Sequence, residues 1–253
     1  MIIDETTISE VANIDPSAIV HKSACIGDHS TIGSDVEIHA NVIIGDNVEI
    51  GPGTIIESHV VIHGPTRIGA NNHIYPFAFI GGDPQDASYE EGEDSILVIA
   101  NDNIIREYVT IHRGTEMGFS LTKIGSSNML MANVHIAHDC RLGDHIIMAN
   151  NAVLAGHVEV QDWAILGGFT LVKQHCRIGA HTYIGMSCQI SKDVPAYMIA
   201  TGVKARIRSY NSEGMRRRGY SKKAMNSIKQ AFVSTYGSNP DNKPLDKDRK
   251  SVV

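Results

Sequence analysis

The sequence predicts a mainly β fold, a parallel β-helix of hexapeptide repeats followed by a small C-terminal α-helical domain. Three observations carry this. Aliphatic residues recur at every sixth position through most of the chain; the recurrence stops at Pro195, beyond which the pattern turns helical; and aromatics make up only 6% while glycines number 23, which suits stacked aliphatic layers better than an aromatic-centred core. A period of six matches neither the 3.6 of an amphipathic helix nor the alternation of an ordinary strand. Short strands separated by turns do match it. Three hexads close one triangular coil of 18 residues, and successive coils stack as parallel strands about 4.8 Å apart.

In chain order, the first block runs from Ile14 through Val20, Ile26, Ile32, Ile38, Ile44, Ile50, Ile56, Ile62, Ile68 and Ile74 to Ile80, twelve hexads without a miss. An interruption near 81–98 follows. The register resumes at Ile99, Ile105 and Ile111, breaks again near 112–123, and then runs from Ile124 to Ile190 for twelve more hexads. The resulting nine coils predict a prism about 43 Å long. Small or β-branched residues such as Ala24, Val36, Val42 and Thr54 stand four places after the aliphatic in most hexads and fill the inner corners. The predicted division is 1–195 for the β-helix and 196–253 for the helical domain. In the latter, Ser212–Arg218 reads as a short helix, Ser221–Gly237 as an amphipathic helix with a Ser cap and a Gly stop, and the polar tail from Ser238 as disordered.

No stretch approaches 18 apolar residues, so no membrane-spanning helix is expected. The start, MIIDETTISEV, lacks a basic and apolar leader, and the four cysteines form no CxxC pair; a cytoplasmic protein is expected. The net charge of −6 argues against a nucleic-acid partner but is unevenly spread. Residues 196–253 carry thirteen Lys/Arg against four acids, a net of +9, which leaves −15 for residues 1–195. A basic module on an acidic body suits an anionic partner at that end, although charge runs are commonly plain solvated surface.

Three stretches depart from bland repeat filler: Gly82-Asp83-Pro84-Gln85-Asp86, Ile111-His112-Arg113-Gly114-Thr115 and Asn133-Val134-His135-Ile136-Ala137-His138-Asp139-Cys140. Together with Ala149-Asn150-Asn151 and Leu154-Ala155-Gly156-His157 they resemble the UDP-N-acetylglucosamine 3-O-acyltransferases that begin lipid A synthesis, a branch of the hexapeptide-repeat acyltransferases. The resemblance spans about residues 13–221. It implies a left-handed coil, against the usual crossover rule, and a homotrimer with active sites between adjacent prisms. It implies transfer of an R-3-hydroxyacyl chain from acyl carrier protein to a UDP-sugar, with no cofactor of the enzyme's own.

The repeat also says which residues are neighbours. His138 plus 18 is Gly156, and plus 18 again is Gln174, so these share one column, with His157 and His175 on the column beside it. A histidine one coil from a glycine supplies a general base and a backbone N–H for an oxyanion, the two parts that acyl transfer to a hydroxyl needs. Asp139 is placed to fix the imidazole tautomer. The resemblance assigns the same roles, makes Asp86, His112, His135, His157 and Gln174 substrate ligands, gives the uridine diphosphate to Asn211, Glu213, Arg217 and Arg218, and puts Met186 at the position that limits acyl-chain length. It also shows two departures: Lys173 stands where such proteins commonly have His, and Ala87-Ser88 stand where they commonly carry a cation.

Three other readings compete. Cys140 as a nucleophile is disfavoured because it shares an inward slot with Cys176 and Cys188. A zinc site of the γ-carbonic-anhydrase kind would draw on His135, His138 and His157, but the surrounding motif differs, so no metal is expected. A purely structural solenoid does not explain two loops breaking so regular a stack. Within the acyltransferase reading, another nucleotide sugar, including a 3-amino sugar, or a coenzyme A donor remains the alternative.

Overall fold

The computed structural model describes residues 8–237, so the tail expected to be disordered from Ser238 lies outside the described residues. The hexads become two- to four-residue parallel strands in three sheets of nine, eleven and nine strands, the faces of a triangular prism. Strands such as Arg141–Leu142 belong to the first sheet, Ile147–Met148 to the second and His135–Ile136 to the third. Each strand pairs with the one 18 residues on, as in His135 with Val153 and Arg141 with Glu159. The inward aliphatics stack into one continuous core in which Ile56, Ile74, Ile105, Leu130 and Leu154 are fully buried.

Sharp corners join the faces. Left-handed backbone recurs there at His29, Asp35, Asn47, Asn133, Asp139, His157 and His175, among others, a conformation that Asn, Asp and His adopt more readily than most side chains. The interruptions appear as register jumps. His73 pairs with Ile104, 31 residues on, and Thr110 with His135, 25 on, so 13 and 7 residues are inserted into otherwise 18-residue coils. Strands run into both ends of the predicted interruptions, leaving loops of only 83–95 and 113–120. The core adapts at this level. Asn72, Asn103 and Asn128 take the inner-corner slot, and each accepts a backbone N–H of the next coil, so the buried amides form a hydrogen-bonded ladder.

The 196–253 segment is not helical from its start. The strands Met198–Thr201 and Arg206–Tyr210 form an antiparallel hairpin that extends the second sheet. Helix α1 (Ser212–Arg217) follows, capped by Asn211, and then α2 (Lys222–Tyr236), capped by Ser221 and stopped by Gly237. No helix among the described residues is long and apolar enough to cross a membrane.

Candidate active site

His138 and Asp139 occupy the corner between the third and first sheets. Both are buried, and Asp139 takes the left-handed conformation, φ 59°. His138 Nδ1 lies 2.8 Å from Asp139 Oδ2. That carboxylate also accepts the Thr115 and Phe119 backbone N–H groups and the Thr115 hydroxyl, at 2.7–3.2 Å. Burial alone would raise Asp139, but the bonds from His138, Phe119 and Thr115 outweigh it and hold the carboxyl below its usual range. With Asp139 ionised, Nδ1 carries the proton and Nε2 is left as the basic nitrogen. Nε2 faces the first loop, 3.5 Å from Asp86 Oδ2.

Asp86 is fixed by Ser88, whose N–H and hydroxyl donate at 2.8 and 2.6 Å. These bonds, the hydroxyl's first, lower the Asp86 pKa. Ser88 therefore sets the Asp86 side chain. His157 stands perpendicular to His138, ring centres 5.1 Å apart, and stacks on His175 at 4.5 Å. Gly156 lies directly beneath His138: a Cβ there would come within 2.5 Å of His138 Cε1 and 2.6 Å of Nε2. The coil arithmetic thus brings His138, Asp139, Gly156 and His157 together, with Gln174 exposed two coils below His138.

His112 and His135 form the adjoining part of the site. Their rings meet edge to face at 5.2 Å; His112 Nδ1 contacts the Asp83 carbonyl and His135 Nδ1 the Thr110 hydroxyl, 2.7 Å away. Burial, then the neighbouring His112 and His138, push His135 down to about 4. A histidine held neutral in the fold but free to protonate near pH 6.5 when unfolded favours the unfolded state in acid. Its stabilising contribution is therefore present above about pH 6.5 and drains away as pH falls towards 4. Urea midpoints of wild type and His135→Gln, measured from pH 7.5 to 4.5, should show a shallower acid limb in the variant. An unchanged slope would reject the assignment.

The three histidines of the zinc alternative are not gathered. His135 turns to Thr110, and the cluster with suitable spacing among the described residues is His138, Asp139 and His157, in which Asp139 is already engaged by several donors. Cys140 is fully buried and its thiol is pushed up to about 12, chiefly by that burial, which removes it as a nucleophile.

The remaining expected residues lie elsewhere on the prism. Asn211, Glu213, Arg217 and Arg218 gather on the corner between the first and second sheets. There the Asn211 amide donates to the His181 carbonyl, and Arg218 lies over the Trp163 ring while donating to its carbonyl. Glu213 accepts from both Arg216 and Arg217, which holds its carboxyl down to about 2. Met186, 76% exposed, sits on the corner between the second and third sheets. One chain therefore carries His138, the arginine cluster and Met186 on three different edges. Residues of the site to which the sequence reading gave no role are Thr115, Phe119 and Arg113. The signal for Thr115 and Arg113 lay in the Ile111–Thr115 motif; that for Phe119 did not exist, because it acts through its backbone N–H.

A hexapeptide-repeat coil with an Asp-backed histidine over a glycine defines an acyltransferase of the left-handed β-helix class. Models of the bacterial transferase hexapeptide match residues 29–64, 49–82 and 121–156, and the model described as UDP N-acetylglucosamine O-acyltransferase, domain 2, matches residues 193–248. Among solved structures, LpxA from Acinetobacter baumannii is 46% identical over 90% of this chain and 83% of its own, with a TM-score of 0.75. UDP-N-acetylglucosamine O-acyltransferase from Moraxella catarrhalis is 42% identical over 92% and 85%, TM-score 0.75, and the Arabidopsis UDP-N-acetylglucosamine acyltransferase 33% over 97% and 86%, TM-score 0.68. The chain belongs to the UDP-N-acetylglucosamine O-acyltransferase family.

Proposed function

We propose that this enzyme moves an R-3-hydroxyacyl chain from acyl carrier protein to the 3-hydroxyl of UDP-N-acetylglucosamine, the first step of lipid A synthesis. The observation that carries the reading is the pair His138 Nδ1–Asp139 at 2.8 Å, with Nε2 presented beside Asp86 and over Gly156. In this mechanism Nε2 takes the proton of the sugar hydroxyl as its oxygen attacks the thioester carbon, and Asp139 stabilises the imidazolium that forms. The Gly156 N–H donates to the oxyanion. Collapse of the tetrahedral intermediate expels the thiolate, which recovers the proton from His138. Asp86, His112, His135, His157 and Gln174 hold the sugar; Asn211, Glu213, Arg217 and Arg218 hold the uridine diphosphate, arginine suiting phosphate by its paired donors.

The spread of these groups over three edges supports a homotrimer in which neighbouring prisms complete each site. The basic C-terminal module supports an acidic carrier protein as donor. Thioester consumption should be fast with acyl carrier protein and slow with coenzyme A, and UDP-N-acetylglucosamine should outcompete its 3-amino analogue. Preference for the amino sugar would move the acceptor atom to nitrogen; failure with both acceptors would reject the reading.

Met186 is proposed to end the acyl groove. Each buried CH₂ contributes about 0.8 kcal/mol, and forcing one into filled space costs more. Chains of about ten to twelve carbons should be preferred to fourteen, and Met186→Gly should raise use of the longer chain about tenfold for each two methylenes admitted. An unchanged fourteen-to-ten ratio in competition assays would remove Met186 as the limit.

A further inference from the structure

We propose that Arg113 is the positioning residue that locks the 83–95 loop so that Asp86 faces His138. Its guanidinium is buried, with the side chain 9% exposed, and it reaches across the stack instead of along its own coil. Nη1 donates to the carbonyls of Gly64, at 2.7 Å, and Gly81, at 3.2 Å; Nη2 donates to the Asp83 carboxylate and lies 3.4 Å from the Tyr89 hydroxyl. The backbone follows the same path, since the Arg113 N–H donates to the Gly82 carbonyl at 3.0 Å. One side chain thus ties the rigid coil below, the last residues before the 13-residue insertion, and two side chains within the insertion.

Asp86 stands three residues beyond Asp83, and its own bonds to Ser88 stay inside the loop. They fix its rotamer but not the loop's place on the prism. The second loop contributes Glu116, whose N–H and carboxylate bond Glu93 and Asp94 at 2.8 Å; these join one loop to the other, His112 ties the Asp83 carbonyl to its own strand, and the Arg113 fork reaches the coil beneath. Lysine has a single nitrogen and cannot span two carbonyls and a carboxylate, so the site needs arginine.

The proposal rests on the acceptor-binding role given to Asp86 above, and the test separates the two. Asp83→Asn removes the charge from the loop side of the anchor, at a half-exposed residue, and leaves the coil contacts in place; Arg113→Lys keeps the charge and loses the fork. Both should raise KM for UDP-N-acetylglucosamine about tenfold with KM for the acyl donor unchanged, and neither should add to the loss caused by Asp86→Asn. Glutamyl endopeptidase, which cuts after Glu90, Glu91 and Glu93, should cleave both variants faster than wild type. Wild-type cleavage rate and acceptor KM in Asp83→Asn would overturn the proposal, and so would faster cleavage with an unchanged KM where Asp86→Asn raises it. If Asp86→Asn itself leaves acceptor KM unchanged, the sugar role of Asp86 fails, and the cleavage rates still decide whether Arg113 holds the loop.

Discussion

His138→Ala should lower kcat by about 10²–10⁴, the usual loss when a general base is removed, with little change in melting temperature. The stability half follows from the hydrogen bonds. Without the imidazole, Asp139 still accepts the Thr115 N–H, the Thr115 hydroxyl and the Phe119 N–H, so no buried charge is stranded. The coil is held by the pairing of His135–Ile136 with Val153–Leu154, which the substitution does not touch. Steady-state rates beside a thermal melt check both halves. A variant near wild-type rate would show that His138 is not the base, and a collapse in melting temperature would show that its role is structural.

Gly156→Ala should be nearly as damaging, at about 100-fold or more in kcat, for a reason that owes nothing to backbone strain. Gly156 does not adopt a left-handed φ, so its backbone accepts alanine; the obstacle is the His138 ring, 2.5 Å from the new methyl. To clear it the imidazole must swing away from Asp139 and from the Gly156 N–H, and a misplacement of about 1 Å in a catalytic group costs about 10² in rate. The fold should persist, because the ring can rotate without moving the coil. A fully active Gly156→Ala enzyme would mean that the ring's position over this residue does not matter to the reaction. Gly118 presents the same logic from the loop side, where a Cβ would fall within 2.6 Å of the Asp139 carboxylate.

How far the site could be read in advance follows the repeat. In a solenoid the register between coils is set by the period, so neighbourhood reduces to adding 18. His138 over Gly156, and His157 stacked on His175 beside them, were legible for that reason, as was the aliphatic core. The same arithmetic separates His138 and Met186 onto two edges; the third, which carries Arg218 from beyond the repeat, is shown by its contacts with Trp163. α2 was legible from its cap, its stop and its periodicity, and α1 was expected over nearly the residues it takes. The hairpin Met198–Tyr210 was not, because antiparallel pairing obeys no hexad and its residues showed no other pattern.

The sequence by itself determined the prism, its layers and the column that carries His138, since a strict period constrains every coil at once. The tertiary structure decided everything contributed by the two insertions: Asp86 reaching within 3.5 Å of His138, two backbone N–H groups clasping Asp139, and Arg113 pinning one loop to the coil below. Inserted residues have no repeat to place them. Their positions come from hydrogen bonds to partners 20 to 49 residues away, which no local pattern encodes.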